Sequence, residues 1–387
     1  MAERKRIGLI FIPDKGWMGG IYYILNLINA LNSLDDEERP EITLLCRNEE
    51  DCNFAEKATH YPYLDFIPTF QYAAPVSRRV INKLSRILRG TNLVASYDVR
   101  EDFDIIYPVI SKFQIKSQSK LVYWIPDFQQ LHLPQLFSEK DLKIRDRENR
   151  QIIDSGLPIV LSSEDALKDL NHFYPESKNR STHVFHFATS IPSYDETLRD
   201  YILNKFGISG KFFFCANQVW QHKNHLTLLK AVNELKKSGK NIRVICSGNK
   251  SDYRNQEYTD TLFKYISDNN LNDNIKFLGL IERSELICLM KESIALVQPS
   301  LFEGWNTGIE EAKALNKFVI ASDLLVHREQ INKNVVFFNP HDPLDLAEKL
   351  WEEWSAPAQT EDMRYQAIIH QAGKEFMRIV EAVCKNN

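Results

Sequence analysis

The chain has 387 residues, 43% of them hydrophobic and 26% charged, with a formal net charge of −4. That is long for one domain and ordinary for a globular protein, so two domains of roughly 180 residues each are expected. The charge gives no global reason to expect nucleic-acid binding, and the six cysteines show neither a CxxC pair nor a metal spacing.

Ile7–Ile12 reads as a first buried strand. It follows basic residues but Pro13-Asp14 cut it off, too short for a signal-peptide core, and no apolar run approaches the roughly 20 residues that cross a membrane. A cytoplasmic protein is the expectation. The loop after the strand reaches Gly19-Gly20 and then Ile21, Ile24, Leu25, Ile28 and Leu31 at helical spacing. Strand, glycine loop and helix open a nucleotide-type fold without the GxGxxG fingerprint. Paired glycines at a helix start let an anion approach the backbone; an ordinary tight turn is the other reading.

Ile42–Cys46 is a second strand. From Ser77 to Gly90, Arg78, Arg79, Lys83, Arg86 and Arg89 are interleaved with Val80, Ile81, Leu84, Ile87 and Leu88. Two readings stand for this basic amphipathic segment: it lies on an anionic membrane surface, or its apolar stripe faces the core of a surface helix. Asp102-Phe103-Asp104 spells a metal-type Asp-x-Asp but directly precedes the strand Ile105–Ile110, so it reads as strand-start polarity. No other cluster has metal spacing, and no metal is expected.

Leu121 to Asp127 is a strand ending at Pro126-Asp127, and Pro158–Ser163 and Val184–Ala188 are two more, the first followed by a helix over 164–173. The polar segment Thr189 to Thr197 reads as a linker. The second half opens with the strand Gly210–Ala216 and a turn, Asn217 to His225, into a helix carrying Leu226, Leu228, Leu229, Val232 and Leu235. Lys223 lies just before that helix, where an ammonium joins the helix N-terminus in holding phosphate. Ile242–Cys246 ends at Ser247-Gly248-Asn249, another strand-end turn. The apolar setting of Cys215 and Cys246 suits buried free thiols in a reducing compartment.

The chain is organised around residues 294–313. Ile294 to Val297 is a short apolar strand, Pro299 and Ser300 end it, and Glu303-Gly304 lie in a turn. Asn306 or Thr307 can cap the helix that follows, through Ala314. Such a turn at the carboxyl end of a parallel strand is where ligands bind, and the helix N-terminus suits a diphosphate. Helical side chains lean toward the N-terminus, so Glu311 points back at the turn, where a carboxylate suits a vicinal diol. Pro343–Trp354 is amphipathic, and Glu361 to Val383 is helical in pattern.

Glu303 and Glu311 form a Glu-x7-Glu motif inside Pro299 to Ala312. The stretch resembles the signature of the retaining nucleotide-sugar glycosyltransferases of family four, and Phe318–Asp323 with His327-Arg328-Glu329 is similar to that family's next strand and turn. The resemblance implies an α/β chain with the GT-B fold, two Rossmann-like domains facing across a cleft. An N-terminal acceptor domain would span 1–190 and a nucleotide-sugar donor domain 191–360, with 361–387 a helix crossing back to the first domain. It further implies metal-independent, retaining hexosyl transfer from a UDP- or GDP-linked sugar to a hydroxyl of a glycan or lipid-linked acceptor, in cell-surface polysaccharide biosynthesis. Beyond that nucleotide-sugar co-substrate no cofactor is expected.

By the same resemblance, Lys223 and the backbone of Gly304, Trp305, Asn306 and Thr307 hold the diphosphate, Glu311 the ribose and Glu303 the transferred sugar. Asn217, Gln218 and Gly248 complete the donor site, with Gly19 and Gly20 facing its phosphate. The sequence departs from the family at two places. Gln218 stands where an Arg usually lies, and Pro126 stands where an active-site His precedes the matching Asp127. His132 is a candidate replacement for that His; a surface histidine is the alternative. These departures keep two other functions in view, a non-catalytic sugar- or partner-binding module and a nucleotide-sugar epimerase or hydrolase.

Overall fold

The computed structural model describes residues 3–13, 18–70, 76–89, 97–110, 115–191, 196–250, 252 and 255–385. The loop 14–17, Gly90 and residues 192–195 of the expected linker lie outside them, as do the side chains of Arg78, Arg79 and residues 86–89. The chain divides into two compact units, Met1–Phe128 with Lys143–Ala188 and Gln366–Asn387, and Gln129–Leu142 with Thr189–Tyr365. The short stretch Gln129–Leu142 thus sorts with the second unit, although it precedes the sequence-based boundary at 190.

The strands of the first unit are β1 (Arg6–Ile10), β2 (Glu41–Leu45), β3 (Leu64–Ile67), β4 (Tyr97–Asp98), β5 (Ile105–Val109), β6 (Ile115–Lys116), β7 (Lys120–Ile125), β8 (Ile159–Leu161) and β9 (Thr182–Val184). Apart from the small pair β4-β6, they join one parallel sheet in the order β3-β2-β1-β5-β7-β8-β9. Central strands such as β5 and β8 are buried along their length, as a parallel sheet covered on both faces requires. The expected strand Val184–Ala188 is displaced: β9 ends at Val184. Phe185 continues the ladder by one bond to Leu161, and Phe187 and Ala188 leave the sheet as buried irregular chain.

The last helix, Tyr365–Lys385, belongs to the first unit from Gln366 onward. Phe376 is fully buried against Tyr107 and Phe185. Gly373 lets the helix touch Met18–Asn32, since a Cβ there would lie 2.4 Å from the Ala30 carbonyl oxygen.

The basic amphipathic segment forms the helix Val76–Arg89. Among its described side chains the apolar ones do not face the core: Val76, Val80, Ile81 and Leu84 are 65, 50, 40 and 54% exposed, while Asn82 and Ser85 are buried. The surface-helix reading is therefore corrected.

In the second unit β10 (Phe213–Ala216), β11 (Val244–Ser247), β12 (Ile275–Phe277), β13 (Ala295–Gln298), β14 (Phe318–Ser322) and β15 (Val335–Phe338) form a parallel sheet in the order β12-β11-β10-β13-β14-β15. Successive side chains feed opposite faces. Phe213, Cys215, Val244, Cys246, Ala295, Val297 and Ile320 join one core. Phe214, Ile245, Leu296, Val319 and Ala321 join the other. Two buried faces explain why these strands read as continuous apolar runs.

Candidate functional site

In the second sheet β10 has β11 on one side and β13 on the other, so the order of travel reverses between β10 and β13. Loops leaving two such strands turn apart and open a crevice at their carboxyl ends. Here those loops are Asn217 to Asn224 and Pro299 to Asn306, the two stretches that hold most of the expected donor residues.

The loops are locked to each other. Asn217 Nδ2 donates to Gln298 Oε1 at 3.0 Å, and Gln298 Nε2 donates back to Asn217 Oδ1 at 3.1 Å. The Leu301 N–H donates to the His222 carbonyl at 2.7 Å. Asn224, with φ 57° in the left-handed region that Asn tolerates, donates its amide to the carbonyls of Pro299 (3.0 Å) and Pro340 (2.8 Å).

Inside this frame Glu303 and Lys223 meet. Glu303 Oε1 accepts from Lys223 Nζ at 2.6 Å, Ser300 Oγ at 2.6 Å and Gln298 Nε2 at 3.1 Å. Burial pushes the Glu303 carboxyl up, but the adjacent Lys223 ammonium, with His222 and His327 beside it, outweighs burial and the pKa falls to about 2. The carboxylate is therefore ionised and held in one orientation. Behind the turn, Ser322 Oγ donates to the Ser300 carbonyl at 2.6 Å, and His327 Nδ1 lies 2.8 Å from the Ser322 carbonyl. Burial lowers the His327 pKa, so the neutral ring donates through Nδ1, and its Nε2 makes no hydrogen bond among the described residues.

The turn then enters the helix Thr307–Ala314. Asn306 is the cap, its Oδ1 accepting from the Ile309 N–H at 3.0 Å. Gly308 gives the cap room, since a Cβ there would sit 3.1 Å from that oxygen. The first-turn N–H groups of a helix lack intrahelical partners and favour an anion. One expected backbone donor is otherwise engaged: the Asn306 N–H bonds Gln330 Oε1 at 3.1 Å. The Asn306 N–H is therefore already committed and not available to a diphosphate. Glu311 is buried one turn in and pairs with Arg283, the first residue of the helix Arg283–Glu292.

The other expected residues divide by role. Gln218 Oε1 accepts from the Asn249 N–H at 2.8 Å, and the Val219 N–H donates to the Asn249 carbonyl at 2.9 Å. The residue that replaces an Arg thus fastens the loop after β10 to the loop after β11. Gly248 lies between them at φ 133°, where a Cβ would fall 2.2 Å from the Asn217 carbonyl oxygen. His132 ends the short helix Gln129–His132, with its ring 5.1 Å from that of Phe302, beside Glu303. Asp127 follows β7 in the first unit, and Gly19 and Gly20 lie in the first turn of the helix Met18–Asn32. Asp104 is spent on Lys5 Nζ (2.7 Å) and the Arg6 N–H (2.8 Å), a structural role. Among the described residues no group of three or more His, Cys, Asp or Glu side chains could hold a metal.

Gln298, Ser300, Arg283, His327 and Gln330 were not singled out from the sequence as site residues. Gln298 carried a readable signal, a polar residue closing a central strand that is otherwise Ala-Leu-Val. Arg283 and Gln330 take their roles from partners 28 and 24 positions away.

Residues 202–369 match the family described as Glycosyl transferases group 1. The O-antigen chain mannosyltransferase RfbU of Salmonella typhimurium is 29% identical over 141 residues, which are 36% of this chain and 36% of that protein. The match therefore spans little more than a third of the relative's length. Anabaena Alr3699/HepE, solved with UDP and glucose, superposes with a TM-score of 0.66 at 16% identity, covering 98% of this chain and 99% of that one. A glycosyltransferase from Rickettsia africae gives 0.63 at 12%, over 99% and 100%. Sucrose-phosphate synthase from Thermosynechococcus elongatus gives 0.62 at 14%, over 98% and 95%. These likenesses show the fold, the parallel-sheet α/β architecture of the GT-B glycosyltransferases.

Proposed function

We propose that this chain, whose residues 202–369 match the group 1 glycosyltransferase family, transfers a glycosyl group from a nucleotide sugar to a hydroxyl acceptor with retention of configuration. The observation that carries the reading is the ionised, buried Glu303 clamped by Lys223, Ser300 and Gln298 beside a capped helix N-terminus. Charge develops on the leaving diphosphate, and preorganised donors placed there stabilise it most. Lys223 and the first-turn N–H groups of Thr307–Ala314 supply such donors from the chain itself, so the reading needs neither metal nor cofactor. Glu303 accepts from hydroxyls of the transferred sugar, and Glu311, oriented by Arg283, takes the ribose. The HepE structure holds UDP and RfbU is an O-antigen mannosyltransferase. Both support a UDP- or GDP-linked hexose and a glycan or lipid-linked acceptor in polysaccharide biosynthesis.

The test is thermal unfolding with UDP, GDP, ADP and TDP and their sugar conjugates. A nucleotide at 100 times its Kd should stabilise the protein by about 2.7 kcal/mol. One base should shift the transition selectively, and the shift should shrink in Glu311→Gln. No shift with any nucleotide overturns the reading.

A lipid-linked acceptor would place the enzyme at a membrane. Among the described residues no helix is long and apolar enough to cross one. The helix Val76–Arg89 instead offers exposed Val76, Val80, Ile81 and Leu84 within a sequence carrying five Lys and Arg. Apolar insertion plus about 1 kcal/mol for each basic residue near an anionic surface favours peripheral binding. The protein should co-sediment with vesicles containing phosphatidylglycerol and not with pure phosphatidylcholine. Val80→Glu with Leu84→Glu should abolish that binding; retention by the double variant removes the helix from the membrane reading.

A further inference from the structure

The chain changes units four times, and the last two crossings are at Ala188–Thr189 and at Tyr365–Gln366. Residues at these last two crossings meet at one phenolic oxygen. The Tyr365 hydroxyl accepts from the Thr189 N–H at 2.9 Å and donates to Glu310 Oε2. Glu310 Oε1 accepts from Lys313 Nζ at 2.8 Å and from Gln330 Nε2 at 2.9 Å. The Gln330 amide also grips the backbone of the helix cap, donating to the Asn306 carbonyl at 2.7 Å and accepting from its N–H at 3.1 Å. Lys313 closes the ring by donating to the Gln330 carbonyl at 2.9 Å.

Every member is buried: Thr189 0%, Glu310 1%, Asn306 and Gln330 4%, Tyr365 6% and Lys313 7% exposed. A polar network removed from water persists only if its members satisfy one another, and this one does. Dipole stabilisation of a helix start does not account for Glu310. Its carboxyl group faces a tyrosine 55 positions away and a glutamine 20 positions away, not the N–H groups of its own first turn.

We infer that Glu310, Gln330 and Tyr365 are positioning residues for the nucleotide-binding turn, fixing the Asn306 cap from the last two of the points where the chain changes units. The inference rests on the reading of Glu303 to Gly308 as the diphosphate turn. Its consequence is reciprocal: what orders the turn orders the Thr189 crossing, and what loosens Tyr365 loosens the turn.

Amide hydrogen exchange on the full chain tests this without any ligand. Tyr365→Phe removes one oxygen and keeps the ring. It should speed exchange at Thr189 and at Asn306 to Ile309, and leave the β13 and β14 amides unchanged. Gln330→Met, which cuts the far end, should speed Asn306 to Ile309 most and Thr189 to a smaller degree. In the double variant Asn306 to Ile309 should exchange as in Gln330→Met, because the effect of Tyr365 travels through Gln330. Additive effects, or no change at Asn306 to Ile309 in Tyr365→Phe, overturn the inference. With the nucleotide that stabilises the wild type, Tyr365→Phe should weaken Kd by about 5- to 10-fold. A purely structural role would lower Tm and leave Kd alone. If the wild type binds no nucleotide, the functional reading fails while the ligand-free exchange still decides the coupling.

Discussion

Replacing Glu303 by Gln is expected to lower glycosyl transfer by about 10²–10³-fold, the usual cost of removing one preorganised polar contact to a transition state. Glu303→Ala and Lys223→Ala are likewise expected to inactivate the enzyme, but neither should leave the fold untouched. The two side chains, 8% and 15% exposed, form one buried pair. Breaking such a pair by removing one partner strands a charge and costs about 3–5 kcal/mol. Each single variant should therefore lose stability as well as rate. The double variant Lys223→Met/Glu303→Gln strands no charge, so it should regain most of the stability and none of the activity. Thermal unfolding and radiolabelled-sugar transfer on the same preparations separate these outcomes. A double variant that transfers sugar at the wild-type rate removes both residues from the chemistry.

Acid unfolding gives a further check on the same pair. Glu303 titrates at about 2 in the folded chain, against an ordinary value of 4.5. A depressed carboxylate contributes stability in full above its unfolded value and loses it as pH falls toward the folded one. The wild type should thus lose stability between pH 4.5 and about 2 more steeply than the double variant.

What could be read from the sequence was what local pattern controls. A strand of Ala-Leu-Val, a proline stop, an Asn cap and a helix follow from period and capping chemistry, and they locate Glu303 and the anion-binding turn. Lys223 was legible because it precedes a helix after a buried strand. Features set by distant partners were not. Gln330 reaches Asn306 across 24 positions, and Tyr365 reaches Glu310 across 55. No periodicity links such pairs. Gln218 looked like a lost cation, yet its side chain holds the Asn249 backbone. The amphipathic helix Val76–Arg89 misled in a different way. Periodicity places residues on one face but does not say whether that face meets the core or the solvent.

The second large effect is expected from one methyl group. At Gly248 a Cβ would lie 2.2 Å from the Asn217 carbonyl oxygen, 2.6 Å from its carbon and 2.8 Å from the Gln218 nitrogen, with φ at 133°. All three are backbone atoms, so nothing flexible can give way. Gly248→Ala should cost about 3 kcal/mol or more, from backbone strain and forced separation of the loops after β10 and β11. Gly239→Ala is the control, since its φ of 75° is also left-handed but nothing lies within 4 Å of the added carbon. It should cost only about 1 kcal/mol. Thermal unfolding of the pair separates a glycine needed for close approach from one needed only for its φ, and equal losses would discard the close approach. The difference should extend to ligand affinity. Asn217 is the partner of Gln298, and Gln298 is one of the three donors to Glu303. Displacing Asn217 therefore loosens the Glu303 carboxylate, so Gly248→Ala should weaken nucleotide-sugar binding where Gly239→Ala leaves it unchanged.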